Sequence, residues 1–137
     1  MPVVADLIAY LDPLVAETSS GATPDLVEGP APEQPDDLVA ITHYLSERSD
    51  DYVMAPSLTA PGSELERVQV MARSVSMATA ITRANAFHVL LDNLLNVTMS
   101  GRVYFSIESE GPPFSLGQDQ SNRWRFVANY VVRKHRG

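Results

Sequence analysis

The chain has no cysteine among its 137 residues, so it can form no disulfide, no thiolate metal site and no thiol nucleophile. Long apolar runs are also missing. Nothing approaches the roughly 20 residues that a membrane-spanning helix needs, and the start lacks a basic segment followed by an apolar block. The sequence therefore reads as soluble, with no membrane partner and no secretory address. Basic residues are scarce, 10 Lys and Arg against 17 Asp and Glu, for a net charge of -7. That balance argues against a general nucleic-acid binder, which needs basic patches to displace counterions from phosphates.

Catalytic and cofactor signatures are equally thin. There is no Walker-type or dinucleotide glycine pattern, and Gly111 and Gly117 do not sit at a strand-to-helix junction. Ser57, Ser63 and Ser115 lack a nucleophile-elbow context. His88 and Asp92 lie one helical turn apart, a spacing that suits an acid-base pair or half a metal site. His88 is also placed between Ala84 and Leu91, where a hydrogen-bonded core or interface histidine is the commoner reading. His43 with Glu47, Asp50 and Asp51 is a looser cluster that matches no calcium loop and reads as a solvated acidic loop. The expectation is no cofactor, no metal and no catalysis, with an enzyme built on His88 or His43 as the distant alternative.

What is present centres on Glu66 to Val97. Val68, Val70 and Ala72 alternate with Arg67, Gln69, Met71 and Arg73, the period of a strand with one buried face. From Ser76 the period becomes helical, and Met77, Ala80, Ile81, Ala84, Phe87, Leu91, Leu94 and Leu95 form an arc wide enough to cover a sheet. The opposite face carries Thr79, Thr82, Asn85, Ala86, Val89, Leu90 and Asn93, and the helix holds only two formal charges, Arg83 and Asp92. A free surface helix carries more, so this face is expected to be covered. Two readings stay open: a helix between two layers of one core, or a subunit interface through Arg83, Val89, Leu90 and Asn93. The short chain has few elements to spare for a second layer, which favours the interface.

In chain order, Val4, Leu7, Ile8, Leu11 and Leu14 predict a short first helix that Pro13 kinks or restarts. Leu26 and Val27 suggest a brief strand before the proline-rich stretch from Gly29 to Pro35. Asp37 to Leu45 reads as a strand with both faces apolar, Ser46 to Ser63 as a long connection, and Val103, Phe105 and Ile107 as another strand. Ser109 to Asn122 follows as a second long loop. A final strand places Trp124, Phe126, Ala128, Tyr130 and Val132 on one face; this reads as core in preference to a base-stacking platform. The predicted fold is therefore α+β, a mostly antiparallel sheet packed against one long helix with a short N-terminal helix. It forms a single domain, 1–137, with long loops at 46–63 and 109–122.

Charge is segregated along the chain. Arg48 is the only basic residue before Arg67, whereas the end is the basic run Arg133, Lys134, His135, Arg136. Such a division can guide head-to-tail contacts between copies.

The stretches LVEGPAPEQPDDLVAI, ERVQVMARSVSMATAITRANAFHVLLDNL, NVTMSGRVYFSI and PPFSLGQDQSNRWRFVANYVVRKHR together resemble the minor capsid or tail-terminator family of tailed bacteriophages. The likeness is most specific at Arg73, just before the helix, and in the series Pro113, Phe114, Leu116, Gly117, Asp119 and Arg123 ahead of the aromatic strand. Family members usually carry an acidic residue after that aspartate and a glycine before that arginine; this chain has Gln120 and Asn122. The resemblance implies a structural virion protein without catalysis. It would form a hexameric ring at the neck, capping the tail tube at its head-proximal end and helping to join the head. Its partners would be other copies of itself, the tail-tube protein and the head-to-tail connector or stopper protein. DNA would pass through the lumen without specific binding, and the protein would sit in the virion after assembly in the host cytoplasm. Contacts with partners would come from the long loops, at Asp50, Asp51, Tyr52, Phe114 and Asp119. Another neck or head-completion protein, or a non-phage ring-forming α+β protein, would share these features.

Overall fold

The computed structural model describes residues 2–18, 25–33, 36–48 and 63–135. Helix α1 (Pro2–Thr18) leads into strands β1 (Asp25–Glu28), β2 (Leu38–Arg48) and β3 (Ser63–Ser74). Helix α2 (Met77–Leu91) is followed by β4 (Leu94–Met99), β5 (Arg102–Ser109), β6 (Phe114–Gln118) and β7 (Trp124–His135). All seven strands belong to one sheet in the order β1-β2-β3-β7-β5-β4, with β6 also paired to β7. β5 runs beside the second half of β7, β6 beside the first.

The expectation of a mostly antiparallel sheet on one long helix is overturned. Strands make up 52% of the described residues, the sheet is mixed because β1 runs parallel to β2, and it curls into a half-barrel. Two helices of comparable length, 17 and 15 residues, share its inner face. α1 contributes Val3, Val4, Leu7 and Leu11 to the core and α2 contributes Ala84, Phe87 and Leu91. The first helix is thus neither short nor broken at Pro13.

Two local causes explain the difference. Asn93 takes a left-handed backbone, φ 61°, immediately after the last turn and stops α2. Asparagine tolerates that conformation better than other residues with a β-carbon. Leu94 to Met99 then forms β4 against β5; the apolar spacing there had simply continued the helical period. The stretch 109–122 is likewise not all loop, since Phe114–Gln118 pairs with β7 as β6. Of 46–63, Ser46 to Arg48 extend β2 and Ser63 begins β3; 49–62 lie outside the described residues.

The inner face follows the predicted alternation. Val39 and Ile41 of β2, Val68, Val70 and Ala72 of β3, and Ala128, Tyr130 and Val132 of β7 are all buried beneath the helices. Each fully buried aliphatic side chain contributes about 1.5–3 kcal/mol. At one end this face turns polar. Asp6 of α1, 3% exposed, accepts from Arg102 Nη1 at 2.9 Å and from the Tyr104 hydroxyl, tying α1 to β5. Burial, followed by the Asp6 hydrogen bond, pushes the Tyr104 phenol well above its ordinary value, so it remains a donor.

Candidate interaction surfaces

The uncharged face of α2 begins at a regular cap. Ser76 accepts from the Thr79 amide at 3.3 Å, so β3 passes into the helix after two residues. Ala80, Ala84, Phe87 and Leu91 face inward. Among the four residues expected at a subunit interface, the structure leaves two open: Val89 is 79% exposed and Asn93 is exposed beyond the helix end. Leu90 is half-buried against the core, and Arg83 lies 3.7 Å from Asp37 in an ion pair. Val75 and Met77 extend the exposed apolar surface at the start of the helix.

A second surface is built where the sheet meets the segment between β1 and β2. Arg73 and Arg123, 3% and 4% exposed, lie at the end of β3 and just before β7. Arg73 donates from Nε to Asp36 O at 3.1 Å and from Nη2 to Pro32 O at 2.7 Å. Arg123 donates to Glu33 O and, from Nε, to Asp119 Oδ2 at 2.8 Å. Asp119 Oδ1 accepts from the Ser121 and Arg123 amides at 2.9 and 3.0 Å. Five planar donors on each guanidinium allow this convergence of carbonyl and carboxylate acceptors. The Arg123 amide first, then the Ser121 amide and the Arg123 side chain, hold the Asp119 carboxyl below the usual carboxylate range. Burial and the neighbouring Arg123 lower Arg73, opposed by Asp119, Glu33 and Asp36.

Asn122 sits at φ 62° in this turn. It is one of the few residue types that can replace glycine there. The expected contact residue Asp119 is thus engaged within its own turn, whereas Phe114, on β6, is 48% exposed. Asp50, Asp51 and Tyr52 lie outside the described residues.

Each of the two candidate histidines contacts a side chain of the sheet. His88 Nδ1 is 3.1 Å from the Tyr130 hydroxyl and Nε2 is 3.8 Å from Asp92, whose other oxygen accepts from the Ser109 amide at 3.0 Å. Burial first, and Asp92 second, raise the Tyr130 phenol. His43 Nε2 meets Glu66 at 2.5 Å, in a layer that also holds Lys134 at 3.8 Å. Glu66 of β3 is thus a partner of His43; of the residues grouped with it by sequence proximity, Asp50 and Asp51 lie outside the described residues. Alternation could have found this pair, because Glu66 is in phase with Val68 and Val70. Among the described residues, no three His, Asp or Glu converge as metal ligands.

A family described as bacteriophage tail terminator protein matches residues 15–136 of this chain. A solved chain from the virion of a native gene transfer agent particle is 12% identical with a TM-score of 0.58, covering 97% of this chain and 91% of its own. A second solved chain, 10% identical, has a TM-score of 0.49 over 98% of this chain and 95% of that one. No curated protein matches.

Proposed function

The chain belongs to the bacteriophage tail terminator family, and we infer that it forms a ring, a homohexamer, that caps the tail tube at its head-proximal end. On this reading the protein is a structural tail component whose two ring faces meet the tail-tube protein and the head-to-tail connector, and DNA crosses the lumen without specific contacts. The family match carries the reading. The exposed, uncharged outer face of α2 supports it, because Val89 at 79% exposure, beside Asn93, leaves apolar surface that a neighbouring subunit can cover. The net charge of -7 is consistent with a DNA passage that repels phosphates. Asp50, Asp51 and Tyr52, together with Phe114 and Asp119, are the residues proposed to contact these partners.

The direct test mixes purified protein with polymerising tail-tube subunits. Addition should arrest tube growth at one end, with a ring visible there by negative stain. Tubes that grow unchanged, with no bound ring, would refute the capping role.

A further inference from the structure

Strands at the edge of a sheet present unpaired N–H and C=O groups that invite another strand, and proteins usually blunt them with charge or proline. Among the described residues, β1 pairs only with β2, and β6 only with β7. The two lie at opposite edges of the sheet at the same height. Cα partners run in one row from Val27 through Ala40, Met71 and Val127 to Phe114. The next row on the same face runs from Asp25 through Leu38, Arg73 and Arg125 to Gly117. β4, the other strand on the far side, pairs with β5 beside the opposite half of β7, where β1 has no counterpart.

β6, with sequence FSLGQ, has neither charge nor proline, and exposes Phe114 and Leu116 at 48% and 44%. Beside it, Arg125 donates from Nη2 to Leu116 O at 3.3 Å, while its Nε is buried without a hydrogen-bond partner. A buried donor left unmet is costly. β1, with sequence DLVE, has no basic residue. The strand directions also agree. β1 is parallel to β2, β2 and β3 are antiparallel, and β3 and β7 are antiparallel, so β1 and β7 run in the same sense. β6 runs opposite to β7. A second copy placed beside the first with its strands in the same sense therefore brings its β1 antiparallel to β6, the stronger form of pairing.

We propose that β1 of one copy pairs antiparallel with β6 of the next, apposing Val27 to Phe114 and bringing the acidic strand to the Arg125 guanidinium. This contact is head-to-tail, and on a sheet that already curls it repeats with rotation, as a ring requires. It rests on the ring reading above and names the surfaces that make the ring.

The absence of cysteine supplies a clean test. Val27→Cys and Phe114→Cys lie four strand spacings apart within one chain, about 19 Å along the sheet at ~4.8 Å per spacing, too far for an internal disulfide. Oxidising the double variant should give a ladder of covalent multimers on a non-reducing gel, ending in one closed species. Either single variant should stop at dimers. Should the double variant fail to fold by circular dichroism, Arg125→Glu provides the second route. It should weaken association about tenfold, because it sets a carboxylate against the acidic strand. Closed rings without the ladder, or charge variants without effect, overturn the pairing and leave the β6 edge for a different chain. Unmodified protein that stays monomeric in light scattering overturns the ring reading and the pairing with it.

Discussion

The arginine-braced turn and the outer face of α2 differ in where their interactions are completed. At the brace, two guanidiniums almost without solvent contact find backbone carbonyls and a carboxylate inside the same chain. On α2, Val89 stands 79% exposed with no charged side chain taking its place, and Arg83 is drawn aside to Asp37. The brace fixes the shape of one subunit; the helix face presents Val89 as apolar surface that nothing among the described residues covers. Residues carrying formal charge can therefore be the structural ones here, and an aliphatic residue the one available for assembly.

Substitutions can break the comparison from either side. The largest effect is expected at the brace. Arg123→Ala leaves Asp119 and the Glu33 carbonyl without their shared donor and removes the guanidinium on which the turn converges. The melting temperature of the isolated protein should fall by several degrees, and thermal denaturation followed by circular dichroism reads it. Val89→Asp should do the opposite. Stability of the subunit should change by less than about 0.5 kcal/mol, as for an exposed site. Association should weaken about tenfold in light scattering, because an unpaired carboxylate would be buried on assembly. An unchanged association constant would remove α2 from the interface.

Acid sharpens the contrast. The Asp119 carboxyl is held below its unfolded value, so its contribution is present above the ordinary carboxylate range and is lost as pH falls through the lowered folded value. The brace should therefore loosen only in strong acid, and Asp119→Asn should flatten that part of the stability–pH curve. The smallest effect is expected from Asn122→Gly, which relieves the left-handed backbone at φ 62° and should raise stability by less than about 1 kcal/mol. A loss of stability would mean that the Asn122 side chain has a role of its own.

Much of the core was legible because alternation is a direct record of a buried face. Val68, Val70 and Ala72, and the Ala128, Tyr130 and Val132 series, lie where their period placed them. The sheet's extent was not legible. Leu94 and Leu95 are in phase with α2, and a single left-handed residue, Asn93, decides that the chain leaves the helix there. β6 was hidden by its glycine and its bulge between Ser115 and Gly117, which disrupt the two-residue period. The brace was visible only as spaced residue types, Arg73, Asp119 and Arg123, since its main acceptors are backbone carbonyls that no side-chain pattern announces.

The role of the protein is tested most directly by tail length in a phage deleted for this gene and complemented in trans. Electron microscopy of the deletion should show over-long tail tubes and filled heads without tails, and the intact gene should restore uniform joined tails. Tails of normal length attached to heads in the deletion would contradict the terminator assignment itself.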